Sequence, residues 1–146
     1  MRLPLSLSPM SMTKKIVSCW IGYLVITFAL GFVWHLVLFE RIYRELGVYA
    51  NIEHPNFALG ILSMVIQGGI LASLFPRLYR GQNPFREALS FALLMGLFFG
   101  SGSVIAEVAK QNVSSLPLWF LMAGGFTLIH FLLIGLLFGW VYRKAH

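Results

Sequence analysis

Four long apolar segments constrain the fold of this chain more than any other feature of its sequence. They extend over residues 16–39, 57–75, 88–109 and 116–142. A helix needs about 20 residues to cross the hydrocarbon core of a membrane, so each segment is long enough to span it. Backbone groups in lipid must find their hydrogen bonds within the segment, which runs of this length achieve as helices. The sequence therefore predicts an all-α integral membrane bundle of four transmembrane helices, forming one domain over residues 16–146.

The composition supports the same class of protein. Apolar residues make up 58% of the 146 residues and charged residues only 11%. The mean hydropathy is +0.80. A soluble domain carries about 25% charged residues, so this chain has too little polar surface to be one. The net charge of +6 is compatible with a nucleic-acid partner in principle, but no nucleic-acid-binding motif or soluble basic domain accompanies it.

The distribution of basic residues predicts the orientation in the membrane. The N-terminal tail, the second loop and the C-terminus lie on one side of a four-span chain, and they hold eight of the 11 basic residues. The other three are Arg41, Arg44 and Lys110. By the positive-inside rule, both termini are expected in the cytoplasm. The basic loops would also attract anionic headgroups, so membrane lipids are expected partners.

The first fifteen residues contain prolines and serines ahead of Lys14 and Lys15, which predicts a mobile cytoplasmic tail. A cleaved signal peptide is the alternative interpretation. The first apolar segment is too long for the core of a signal peptide, and no small-residue cleavage site follows Phe39. We therefore expect the segment to be retained as a span.

The first external loop, residues 40–56, is the longest connection between spans. Its beginning, "ERIYRELG", predicts one or two amphipathic helical turns that stop at Gly47. Asn56 is a suitable N-cap for the second span, because an asparagine side chain accepts a hydrogen bond from the first helical turn.

Common catalytic and cofactor motifs are missing from the sequence. The single cysteine, Cys19, allows no internal disulfide, and no cysteine or histidine spacing typical of zinc is present. There is also no phosphate loop, nucleophile elbow or dinucleotide fingerprint. We predict no catalytic residues and no cofactor, and an enzyme is the least favoured class.

Small residues predict close helix packing in the third and fourth spans. Ala92, Gly96 and Gly100 recur at intervals of four, and Gly135 and Gly139 form a GxxxG motif. Small faces of this kind allow backbones to approach within lipid. The GxxxG motif would serve either the bundle or a homodimer.

Each predicted span also carries one polar or small face, which lipid would reject and which should therefore point inward. The polar residues that we predict to bind a ligand between the helices are His35, Gln67, Glu107 and His130. His35 and Glu107 would lie in the outer half of the membrane, with Gln67 and His130 near its middle. Glu107 would accept a proton or cation, the histidines would donate hydrogen bonds or bind metal, and Gln67 would orient them.

Simpler interpretations of these residues remain open. A buried histidine can simply bond to a neighbouring serine or carbonyl group, and Glu107 can be a solvated helix end close to Lys110. A haem between His35 and His130 would need the two residues at equal depth, and their positions differ by several residues. The ligand types also suit zinc or iron, so metal binding is left unknown.

The segment "GFVWHLVLFERIYRELGV" resembles uncharacterised four-span bacterial inner-membrane proteins of the domain-of-unknown-function kind. Trp34 is followed here by His35, where such families usually have tyrosine. The resemblance implies a bacterial plasma membrane and a four-helix bundle, and it implies no activity.

Two function classes follow from the sequence. The first is a small membrane protein whose polar cavity binds or passes a small solute or a proton. The second is a structural or accessory subunit, which would act in a homodimer or in a larger membrane complex. The first should hold its polar faces inward as a monomer, whereas the second should expose a small-residue face.

Overall fold

The computed structural model describes residues 10–48 and 54–143. These residues form six α-helices interrupted by three segments of π-helix, and they contain no strand. The α-helices are α1 (Met12–Phe32), α2 (Glu40–Leu46), α3 (Phe57–Leu78), α4 (Pro84–Gly100), α5 (Leu116–Trp119) and α6 (Gly125–Tyr142). The π-helices are π1 (Val33–Leu38), π2 (Ser101–Ala106) and π3 (Phe120–Gly124).

Four continuous helical stretches of the described chain are long and apolar enough to cross a membrane. They are span 1 (Met12–Leu38), span 2 (Phe57–Leu78), span 3 (Pro84–Ala106) and span 4 (Leu116–Tyr142). The predicted all-α membrane bundle is therefore confirmed, and the chain is a multi-pass membrane protein. We call the end where span 1 begins and span 4 ends the terminal end, and the opposite end the loop end.

Each span begins at a residue whose side chain caps the helix. The side chains of Ser11, Asn56, Asn83 and Ser115 each accept a hydrogen bond from the backbone N–H three residues later. The first N–H groups of a helix have no partner within it, so these caps fix the starting points. The Asn56 cap and the end of α2 at Gly47, where φ is 74°, confirm the predicted cap and the predicted helical turns at the start of the loop, while residues 49–53 lie outside the described part of the chain.

The spans extend beyond the predicted apolar segments at the terminal end. Span 1 is helical from Met12 instead of residue 16, and span 3 begins at Pro84 instead of residue 88. Capped polar turns continue these helices past the apolar run that lipid requires. Residues 12–15, which were predicted to belong to a mobile tail, are therefore helical, and residues 1–9 lie outside the described part of the chain.

Helix packing places the spans in the order α3, α1, α6, α4. The most extensive contact joins α4 and α6, followed by α1 with α3 and α1 with α6. Within the described residues, α3 and α4 are not among the extensively packed pairs. They meet at the terminal end, where the ring centroids of Phe75 and Phe91 lie 5.3 Å apart.

Glycines on α6 explain the close contact with α4. A Cβ atom at Gly139 would lie 2.9 Å from the Cα of Phe85, and one at Gly135 would lie 3.0 Å from the Cα of Leu89. A methyl group has no room against a backbone atom at these distances. The GxxxG motif of span 4 therefore packs within the bundle.

Two separate hydrophobic cores fill the bundle. The core at the terminal end contains large rings such as Phe75, Phe138 and Tyr142. The core at the loop end is built around Tyr43 and Trp119. Among the described residues, three buried polar side chains belong to neither core, namely Thr27, Thr127 and His130.

Candidate functional site

Five side chains from spans 1, 2 and 4 form a polar layer near the middle of the bundle. They are Tyr23, Thr27, Ser63, Gln67 and His130. Tyr23 and Thr27 are one helical turn apart in α1, and so are Ser63 and Gln67 in α3. The layer therefore combines one face each of α1 and α3 with His130 of α6.

His130 lies at the buried end of this layer. Its side chain is only 3% exposed. A 2.8 Å hydrogen bond joins its Nε2 to Oγ1 of Thr27. The rings of Tyr23, Phe126 and Phe131 surround it at centroid distances of 5.5, 5.8 and 5.0 Å. The imidazole is thus held by one polar contact and three aromatic rings.

Gln67 connects the layer to the surface of α3. Its Oε1 accepts a 2.9 Å hydrogen bond from the hydroxyl of Tyr23, and its Nε2 donates a 2.8 Å bond to Oγ of Ser63. Tyr23 is fully buried, Gln67 is half-buried and Ser63 is exposed. A hydrogen-bonded chain therefore leads from an exposed hydroxyl to a buried ring beside His130.

Gly68 makes room for the tyrosine in this chain. A Cβ atom at Gly68 would lie 2.6 Å from Cδ1 of Tyr23 and 3.0 Å from Cδ1 of Trp20. The Trp20 indole donates a 3.0 Å hydrogen bond to the carbonyl of Val65. Two polar rings of α1 thus lie directly on the backbone of α3.

His35 lies closer to the loop end, in π1, and is half-buried. Its ring packs against Tyr43 at 4.7 Å and against Phe126 at 4.6 Å between centroids. Phe126 also stacks on His130. The two predicted histidines therefore share one aromatic neighbour, with His35 on the loop side of the polar layer.

Glu107 lies at the loop-end rim of span 3. Its carboxylate accepts hydrogen bonds from Gln111 and, at 3.5 Å, from Lys110, and its side chain is 42% exposed. Among the described residues, no three histidine, cysteine, aspartate or glutamate side chains are close enough to hold a metal ion. The structure thus joins Gln67 and His130 through Tyr23 and gives Glu107 the surroundings of a solvated helix end.

All three π-helices lie at the loop end, in spans 1, 3 and 4. A π-helical turn changes which backbone groups are paired, and such turns are frequent at functional sites. The carbonyl of Val104 in π2 accepts a 2.9 Å hydrogen bond from the indole of Trp119. The Trp34 indole of π1 donates to the Tyr43 hydroxyl at 3.1 Å. Tryptophan side chains therefore anchor two of the three segments above the polar layer.

Tyr23 and Gly68 are the two participants that sequence reasoning missed. Thr27 and His35 share one face of span 1, and Tyr23 is one turn earlier on the same face. Tyrosine is common at membrane interfaces, which conceals a mid-span role. Its position eight residues into an apolar segment, one turn before a threonine, is the signal that could have identified it.

Comparison of the chain with protein-family models, curated proteins and solved structures finds no match.

Proposed function

We propose that this membrane protein binds a small polar solute or a proton at its polar layer. The observation that carries the proposal is the hydrogen-bonded chain from exposed Ser63 through Gln67 to buried Tyr23, with His130 beside it. Polar and ionisable side chains in the middle of a membrane are costly and mark functional sites by default. The inward position of Tyr23 and His130 in a single chain favours a binding site over a purely structural subunit.

The chemistry of the layer narrows the class of solute. Hydroxyl, amide and neutral imidazole groups all donate and accept hydrogen bonds, so they can rearrange around a guest. Within the described spans, the layer contains no carboxylate, ammonium or guanidinium group. A fixed ion would lack a counter-charge there. An uncharged hydrogen-bonding solute fits these groups better.

We further infer that the protein resides in a bacterial plasma membrane with the terminal end in the cytoplasm. The eight-to-three distribution of basic residues supports this orientation, and the resemblance of residues 31–48 supports the compartment. The polar layer would then be reached from outside, past π1 and His35. Reporter fusions after residue 146 and near Gly47 test the orientation: we expect cytoplasmic and external signals respectively, and the reverse pattern would refute it.

Thiol labelling tests whether solutes reach the polar layer. In a Cys19→Ala background, a cysteine is placed at Gln67 or at the adjacent Ile66, which is 54% exposed on the lipid side. Methyl methanethiosulfonate, a small uncharged reagent, reacts with a hydrated thiolate, so we expect labelling at position 67 to be at least about tenfold faster than at 66. Equal rates, or an unreactive cysteine at position 67, would contradict the proposal.

A lipid-facing groove between α4 and α6 favours accessory-subunit binding as a second candidate function. The groove has a volume of about 350 Å³ and is lined in part by Gly96, Gly100 and Gly124. A hydrophobic helix of a larger complex could insert a side chain there. A photo-reactive residue at Leu97, 72% exposed beside the groove, should form one defined protein adduct in native membranes. Adducts with lipid alone would exclude this candidate.

A further inference from the structure

A cleft opens at the terminal end of the bundle, beside the contact between Phe75 of α3 and Phe91 of α4. It has a volume of about 500 Å³ and is independent of the polar layer. One wall is apolar and includes Phe75, Phe91 and Leu94, and the mouth carries Arg80 and Arg86. The cleft therefore combines a cationic rim with an apolar interior, in a chain that crosses the membrane.

The lining of the cleft also includes Glu87, whose single negative charge offsets at most one of the two arginine charges. Glu87 accepts hydrogen bonds from the backbone N–H groups of Arg80, Gln82 and Asn83, the last two at 2.8 and 3.0 Å. These hydrogen bonds hold the Glu87 carboxylate against the loop that precedes α4. In the described part of the chain, the guanidinium groups of Arg80 and Arg86 have no ion pair with a carboxylate.

We propose that this cleft binds the phosphate headgroup of an anionic phospholipid. The two guanidinium groups would donate to the phosphate oxygens, a pairing that arginine geometry favours. One acyl chain would then lie between α3 and α4 along Phe91 and Leu94. The weak packing between these two helices leaves that path open to lipid. A phospholipid is favoured over free phosphate because phosphate alone would leave the apolar wall uncovered.

Native mass spectrometry of the full chain in detergent tests the site. We compare phosphatidylglycerol with phosphatidylcholine of the same acyl chains, and Arg80→Gln and Arg86→Gln with the parent. Since hydrogen bonds to charged groups are strong, each substitution should weaken phosphatidylglycerol binding by about tenfold. Arg77→Gln is the matched control, because Arg77 lies in the same region and donates to the carbonyl of Ser73 outside the cleft.

The arms of the experiment distinguish the possible outcomes. Phosphatidylglycerol should bind more tightly than phosphatidylcholine, and Arg80→Lys and Arg86→Lys should retain part of that preference. Full displacement of the lipid by millimolar inorganic phosphate would show that the occupant is a free anion, which overturns the lipid assignment. Equal binding of the two lipids, or an equal loss in Arg77→Gln, would also overturn it. Circular dichroism of each variant serves as the control for folding.

Discussion

Replacing Gly139 with alanine should weaken the contact between α4 and α6. The added Cβ would lie 2.6 Å from Cδ1 and 2.9 Å from Cα of Phe85. The ring can rotate away from the first contact, but the backbone atom moves only if α4 itself shifts. Gly31 provides a matched control, since a Cβ there has nothing within 4 Å.

The expected magnitude is the difference between two opposing effects. Overpacking against a rigid neighbour costs roughly 2–3 kcal/mol, whereas alanine gains about 1 kcal/mol over glycine in helix propensity. Gly139→Ala should therefore reduce the free energy of unfolding by about 1–2 kcal/mol. Gly31→Ala keeps only the propensity effect, so it should be neutral or stabilise by up to about 1 kcal/mol.

Equilibrium unfolding in mixed micelles, followed by circular dichroism, measures both variants against the parent. The sign of the difference between the two alanines is the decisive result. If Gly139→Ala were as stable as Gly31→Ala, then α4 and α6 would not be in backbone contact at this position. The packing order of the four spans would then need revision.

Two further substitutions test the packing at other levels of the bundle. Trp119→Phe removes the indole donor from the carbonyl of Val104 and should reduce the free energy of unfolding by about 1–3 kcal/mol. Trp140→Phe is the control, because Trp140 is 54% exposed, and it should cost well under about 1 kcal/mol. Equal effects of the two substitutions in thermal melts would contradict the anchoring role of Trp119. Gly96→Leu should reduce folded yield far more than Leu97→Ala, because Gly96 faces α6 and Leu97 is exposed; unchanged yield for Gly96→Leu would place that face toward lipid.

The features that the sequence predicted well are those with local causes. Four spans follow from apolar length, and caps such as Asn56 follow from side chains that satisfy the first helical turn. The predicted starts at residues 16 and 88 lie after the observed helix starts at Met12 and Pro84. Hydropathy detects only the apolar run that faces lipid, whereas capped polar turns continue the helix beyond that run. Boundaries of this kind depend on groups outside the apolar segment.

The sequence could not predict which residues contact each other across the bundle. His130 was expected to face inward, but its bond to Thr27 joins residues 103 positions apart in sequence. The GxxxG motif at Gly135 fits a bundle or a homodimer equally until the neighbouring helix is known. The π-helices have no sequence pattern of their own, since tertiary contacts such as that of Trp119 stabilise them. The rim position of Glu107 likewise depends on how span 3 ends.

The central claim is that small molecules reach the polar layer, in which His130 is the buried end. Nitrogen NMR of ¹⁵N-histidine-labelled protein in lipid bilayers tests it most directly, with His130→Asn to assign the signal. We predict that the His130 N–H exchanges with added D₂O within minutes and that its shift responds to a small uncharged solute such as urea. A His130 signal that stays protected for days and is insensitive to solute would contradict the account, because the layer would then be a sealed structural contact.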